Sequence, residues 1–182
     1  RHLPFVTIDP HDAKDFDDAV CLVEEKGVRT LWVAIADVAH YVQPDSRLDG
    51  AARARATSVY LPHAVLPMLP PRLADDLCSL RAGVDRLAMV LAMEIDANDV
   101  IVTSKAYEAV IRVAENLAYE DALDNPRFAG MFSLAEAWQA KEVRLNIQNA
   151  ELRPRLHGDE TIKVEVKWPN AATQMIESFM VA

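Results

Sequence analysis

The chain has 182 residues, a net charge of −9 and 51% hydrophobic residues, with a mean hydropathy near zero. That composition suits one buried core and excludes a disordered chain. The acidity excludes a surface that wraps nucleic acid along its whole extent, because such binding needs Lys and Arg to neutralise phosphates. It leaves room for a site where carboxylates hold cations and the cations carry the positive charge.

No apolar run reaches the ~18–20 residues that span a bilayer, and no basic-then-apolar leader is present. A cytoplasmic chain without a membrane partner is expected. Cys21 and Cys78 sit in apolar or mixed segments without metal spacing. Two core thiols in a reducing compartment account for them. The chain opens on Arg1, and its last helical pattern is still running at Ala182. A piece of a longer polypeptide is therefore expected.

In chain order, Phe5-Val6-Thr7-Ile8 is a short β-type run that stops at Asp9-Pro10, where a turn begins. Residues 9–18 hold five aspartates, and residues 19–24 resume an apolar run. Lys26-Gly27 supplies a turn, and residues 30–36 form a nearly continuous apolar strand expected to be buried on both faces. Residues 48–56 read as a short helix, and residues 57–61 lean towards strand. Pro62, Pro67, Pro70 and Pro71 make the next stretch irregular, since each removes a backbone donor and fixes φ. Residues 72–77 suggest a helical turn. Residues 86–95 and 100–112 predict a hairpin across Asp96-Ala97-Asn98-Asp99.

Residues 116–120 look like a helix start, and residues 133–144 like a helix whose capping box is Ser133 with Glu136. Residues 161–166 alternate as a half-exposed strand would, and residues 171–182 present the apolar face of a helix. The sum is an α+β fold, a mostly antiparallel mixed sheet with helices packed on one side.

The sharpest feature is Thr7-Ile8-Asp9-Pro10-His11-Asp12-Ala13-Lys14-Asp15-Phe16-Asp17-Asp18-Ala19. Carboxylates so crowded repel one another unless something neutralises them, and a divalent cation does so well. Magnesium favours oxygen ligands and commonly takes a few carboxylates with water and phosphate oxygens. A solvated acidic turn is the other reading, and spacing does not decide between them. A calcium loop of the EF-hand type is excluded, because its glycine and its terminal Glu are missing.

This loop resembles the signature of the ribonuclease II / ribonuclease R (RNB) family of processive 3′→5′ exoribonucleases. Trp32-Val33-Ala34-Ile35-Ala36-Asp37-Val38-Ala39-His40-Tyr41-Val42 resembles that family's central strand and the loop after it. Further blocks follow in the family's order: Arg55-Ala56-Thr57-Ser58-Val59-Tyr60-Leu61-Pro62, Val65-Leu66-Pro67-Met68-Leu69-Pro70, Leu77-Cys78-Ser79-Leu80 and Asp85-Arg86-Leu87-Ala88-Met89. The likeness is close over residues 3–112, loose over 113–170, and returns at residues 175–182.

The resemblance implies the front part of an RNB catalytic domain over residues 1–182. The domain's second half, with its catalytic arginine and a further acidic residue, would lie beyond, as would the flanking OB-fold RNA-binding modules. Carried over by position, Asp9 and Asp18 would be magnesium ligands and Asp15 would complete the cluster, with manganese a possible substitute. Asp17 would be the carboxylate whose loss most damages the chemical step, while Asp12 falls outside the set. Tyr60 matches the aromatic that stacks on a base near the RNA 3′ end. Stacking tolerates every base and is worth ~1–3 kcal/mol.

The implied reaction is two-metal hydrolysis of single-stranded RNA, releasing nucleoside 5′-monophosphates, with the ions ~3.5–4 Å apart. Preference for RNA would rest on contacts to the 2′-hydroxyl. A different metal phosphoesterase lacks support from residues 30–90. An inactive RNB domain kept for RNA or protein binding is the alternative, and the intact aspartates speak against it.

Other residues carry less. His11, His40, His63 and His157 share no ligand spacing, so no zinc site is expected. Asp37 is placed either near the metal cluster or as a turn cap. Arg153 and Arg155 are too few to separate phosphate contact from a solvated face.

Overall fold

The computed structural model describes residues 2–61, 63–141, 150–156 and 161–182. The strands are β1 (Val6–Asp9), β2 (Asp18–Glu25), β3 (Val28–Ala36), β4 (Val59–Tyr60), β5 (Val65–Leu66), β6 (Asp85–Ile95), β7 (Ile101–Arg112), β8 (Glu115–Ala118), β9 (Glu151–Leu156) and β10 (Ile162–Lys167). The α-helices are α1 (Val38–Tyr41), α2 (Arg47–Arg55), α3 (Tyr119–Leu123), α4 (Ala129–Lys141) and α5 (Ala171–Met180). Six strands make one sheet in the order β7-β6-β3-β2-β1-β8. Neighbours run antiparallel except β1 and β8, which are parallel. The fold is α+β with a mixed, mostly antiparallel sheet, as the sequence predicts.

Turn chemistry sets the register. Lys26 and Gly27 both take positive φ, 52° and 79°, and pair Glu25 with Val28 across a two-residue loop. Such primed turns match the twist of the flanking strands, and glycine adopts the conformation without a Cβ penalty. The predicted hairpin of β6 and β7 is present as well. At its tip Arg29 pairs with Asp99 at 2.8 Å, while Trp138 and Lys141 of α4 donate to the Asp99 carbonyl at 2.9 and 3.2 Å. The helix end is thereby locked to the sheet end far from the aspartate loop.

Strand β3 is central, and its apolar run is explained by two cores. Leu31 and Val33 face one, built with Val20, Met93, Leu134, Met175 and Phe179 under α3, α4 and α5. Ala34 and Ala36 face the other, with Cys21, Val90, Leu73, Cys78 and Leu80. The longer helices thus cover one face. The other is closed by the irregular stretch between β3 and β6, which carries α1, α2 and a π turn at Leu73–Leu77. At the end of β3, Ile35 stays 43% exposed directly opposite Asp18.

Two boundaries differ from expectation. Residues 116–118 belong to β8 rather than to a helix start, and the helix begins only at Tyr119. Pairing supplies the reason: Val6–Asp9 would otherwise expose a row of backbone donors and acceptors, and Glu115–Ala118 satisfies it. Helix α4 starts at Ala129, so Ser133 lies inside it and caps nothing. A 3-10 turn at Pro126–Phe128, begun by the Asn125 side chain accepting from the Arg127 amide, feeds straight into that helix. The apolar helix α5 is capped by Asn170 and Thr173 and buries Ala172, Met175, Ile176 and Phe179. Strands β9 and β10 form a separate ribbon, on which Ile162, Val164 and Val166 are exposed. Expectations placed on Pro62, Val143, Arg144 and His157, and on the side chains of Arg153 and Arg155, lie outside the described residues.

Candidate functional site

Because β1 and β2 are antiparallel neighbours, with Val6 opposite Val20, the last residue of β1 and the first of β2 lie at the same sheet end. Those residues are Asp9 and Asp18. The loop between them turns at Pro10, whose carbonyl accepts from the Ala13 amide at 2.9 Å, and returns to the sheet where Ala36 donates to the Asp17 carbonyl at 2.8 Å. A strand–loop–strand of this kind places carboxylates on a rigid edge rather than on a free tip.

The returning limb is pinned from below. Ser79, fully buried, accepts from the Phe16 amide at 3.1 Å and donates to the Lys14 carbonyl at 2.8 Å. The next amide, of Leu80, donates to the Phe16 carbonyl at 2.8 Å. Phe16 itself packs against the second core, so Asp15 and Asp17 flank an anchored residue. The Ser79 carbonyl accepts from Arg86 Nε at 3.0 Å, and Arg86 also pairs with Asp76 at 2.8 Å. Asn116 bridges Thr7 Oγ1 at 2.9 Å and the Leu80 carbonyl at 3.0 Å, and accepts from the Ala82 amide at 2.8 Å. One short segment, residues 79–82, therefore ties together β1 and the loop.

The electrostatics are those of an uncompensated acidic cluster. Burial and then the charge of Asp18 push the Asp9 carboxyl up to about 7; Asp17 and Asp15 add to this, while the Thr7 hydroxyl works against it. Burial and then Asp17 push Asp18 up to about 6. Asp17 is the most exposed of the four, yet partial desolvation and Asp15 raise it too. Asp9 Oδ2 is buried without a hydrogen-bond partner. An orphaned buried oxygen is costly, and a bound cation would remove the cost. The all-oxygen donor set suits magnesium. Among the described residues no three such side chains close on one point. An ion here would take its remaining ligands from water and from phosphate oxygens, as magnesium commonly does.

Tyr60 lies in β4, 65% exposed, and its hydroxyl donates to Asp15 Oδ2 at 3.3 Å. The structure thus seats Tyr60 against Asp15 and puts Asp9 within electrostatic reach of Asp15, Asp17 and Asp18. Asp12 is exposed and faces His11 at 3.8 Å. Asp37 serves as the cap of α1, accepting from the His40 amide at 3.1 Å. Cys21 and Cys78 are buried core thiols, as expected, and burial raises both, Cys21 to about 11. A groove of about 510 Å³ runs beside the β4–β5 hairpin, lined by Arg55, Thr57, Val59, Leu66 and Pro67 among others, and none of the four carboxylates lines it. Sequence reasoning missed Ser79, Asn116 and Thr7. Their only signal was polarity inside apolar runs, which does not reveal a partner.

Fold and site define an α+β domain with an acidic loop at one end of its sheet, in which burial and neighbouring charge raise Asp9, Asp17 and Asp18. The RNB domain family matches residues 1–126, and the chain belongs to that family. It is 52% identical over 185 residues to Ribonuclease R of Vibrio parahaemolyticus, covering 98% of this chain and 22% of that protein. It superposes on Mycoplasma genitalium RNase R in complex with ribose-methylated single-stranded RNA with a TM-score of 0.87 and 31% identity, covering 99% of this chain and 31% of that one. The same protein in complex with double-stranded RNA gives 0.86 and 30% identity, covering 99% and 35%. The chain spans between 16% and 26% of the lengths of the first curated relatives it matches.

Proposed function

We propose that the polypeptide carrying this chain is a magnesium-dependent exoribonuclease that shortens single-stranded RNA processively from its 3′ end and releases nucleoside 5′-monophosphates. The observation that carries the reading is Asp9, whose buried, unpartnered oxygen and raised carboxyl sit beside Asp18 at the sheet end. Membership of the RNB family and the likeness to Ribonuclease R support it.

Asp9, Asp15 and Asp18 would hold the metal, with manganese an acceptable substitute. When bound, such ions supply a hydroxide-like water at neutral pH and offset charge on the phosphodiester. The residues of this chain add the following. Asp17, exposed at the rim, orients the attacking water by accepting its hydrogen bond. Tyr60 offers an exposed ring on which a base stacks without regard to its identity. Single-stranded RNA is the proposed partner, in keeping with the RNA bound to the Mycoplasma genitalium protein. No described helix is long and apolar enough to cross a membrane, and cytoplasmic residence is part of this proposal.

Incubating the full polypeptide with 5′-labelled single-stranded RNA and magnesium should give progressive shortening from the 3′ end, abolished by EDTA. Internal cuts would overturn the exonuclease reading. RNA that is bound but left intact would favour an inactive RNB domain.

A further inference from the structure

Ser79 carries a hydrogen-bonding pattern that stability alone does not require. It is fully buried in an apolar run between Cys78 and Leu80, both core residues. A serine in such a place usually turns its hydroxyl back onto its own helix or turn. Here both bonds leave the local segment and reach a loop more than sixty residues earlier in the chain, at Phe16 N and Lys14 O. Those two atoms bracket Asp15, and with the Leu80–Phe16 bond they fix the backbone on both sides of that carboxylate and immediately before Asp17. The serine is itself held: Arg86 Nε donates to its carbonyl at 3.0 Å, and the π turn before it closes through Cys78 N on Leu73 O at 2.9 Å. Through Leu80 and Asn116 the same segment reaches Thr7, two residues before Asp9.

We infer that Ser79 is a positioning residue for the carboxylate cluster, its buried hydroxyl setting the height and direction of Asp15 and Asp17 relative to Asp9. The inference rests on the metal-dependent reading above. Physically, carboxylates crowded at one sheet end repel one another as they ionise and push the loop that carries them outward. A bond pattern anchored in the core opposes that push before any cation arrives, so the cation meets a formed donor set rather than one it must assemble. Groups that orient metal ligands without touching the metal typically account for about 10–100-fold in affinity or activity.

The test uses the full polypeptide and Mn2+ alone, read by electron paramagnetic resonance without RNA, beside steady-state cleavage with saturating RNA. Ser79→Ala should weaken Mn2+ binding by about 10–100-fold. Cleavage should lose kcat at limiting Mn2+ and recover at high Mn2+, with KM for RNA unchanged. Ser79→Thr, which keeps the hydroxyl, should retain more Mn2+ affinity than Ser79→Ala or Ser79→Cys. Ser79→Cys, near in volume but a weak hydrogen-bonding group, should behave like Ser79→Ala and covers the case in which the alanine variant fails to fold. Cys78→Ala loosens the same core without touching the loop's bonds, so it should lower Tm and leave Mn2+ affinity alone. Equal Mn2+ affinity in wild type, Ser79→Ala and Ser79→Cys would overturn the role of Ser79. So would an equal loss in Cys78→Ala. Wild type that binds no Mn2+ either alone or with a non-hydrolysable RNA added would instead remove the metal reading itself.

Discussion

Tyr60 and Asp15 meet across 45 positions of sequence, the phenol donating to Oδ2 at 3.3 Å. The contact joins the exposed Tyr60 ring of the β4–β5 hairpin to the cluster at the sheet end, and it puts the proposed base platform and the proposed metal ligands in one neighbourhood. The ring stays free because only its hydroxyl is engaged.

Two substitutions at Tyr60 separate its parts. Tyr60→Phe removes the hydrogen bond and keeps the ring, so end-product lengths should match wild type. Tyr60→Ala removes the stacking face, which should weaken binding of short RNAs by about 1–3 kcal/mol and lengthen the final products. Denaturing gels and titrations with short oligonucleotides measure both, and identical products from Tyr60→Ala would exclude stacking.

Asp17 is exposed at the rim, so Asp17→Asn should fold normally, with stability within about 0.5 kcal/mol of wild type. Turnover should nearly vanish while RNA binding persists, as single-turnover cleavage and an equilibrium binding assay would reveal. A fully active variant would remove Asp17 from the chemical step.

Stability should depend on pH in a direction opposite to that of salt-bridged carboxylates. Asp9 and Asp18 bind protons more tightly in the folded chain, at about 7 and about 6, than at their ordinary value of 3.8. Between those limits the native state holds more protons than the unfolded one, so stability falls as pH rises. Their contribution is full below the ordinary carboxylate value and lost once pH passes about 7. Asp49, Asp96, Glu115 and Glu120, all lowered by their partners, lose their contribution only in more acid solution. Melting in EDTA from about pH 5 to pH 8 should therefore show a declining Tm. Asp9→Asn should flatten the decline, and magnesium should reverse it by favouring the ionised carboxylates. A Tm in EDTA that is flat over this range would contradict the acidic-cluster account.

The core under the long helices is tested at Leu31, fully buried on the central strand. Leu31→Ala should cost about 2–5 kcal/mol in urea unfolding, the sum of lost transfer energy and a cavity. A cost below 1 kcal/mol would mean that the two-sided burial of β3 has been misread.

Much of the fold was legible wherever local chemistry decides. Lys26-Gly27 signalled its turn because Gly27 takes positive φ without a Cβ penalty. The unbroken apolar run of β3 signalled burial on two faces, and the β6–β7 hairpin followed from two β-rich runs around a polar turn. Residues 116–118 misled because Asn-Leu-Ala before Tyr-Glu-Asp reads as a helix entry. Their strand conformation is imposed by β1, more than a hundred positions earlier. Ser133 misled for a related reason, since a capping pattern also occurs inside helices when an earlier turn has already begun them.

The sequence by itself determined that five aspartates crowd a turn between two strands, that Tyr60 belongs to a separate block, and that the whole suits an RNB domain. Proximity along the chain is enough to establish charge repulsion, and residue type is enough to establish oxygen donors. Only the tertiary structure decided which oxygen is buried and unpartnered, which aspartate meets Tyr60, and that Ser79 bonds the loop at Lys14 and Phe16 while Asn116 ties Thr7 to Leu80. Those outcomes depend on strand order and burial, which arise from contacts between residues far apart in the chain, and no local pattern encodes them.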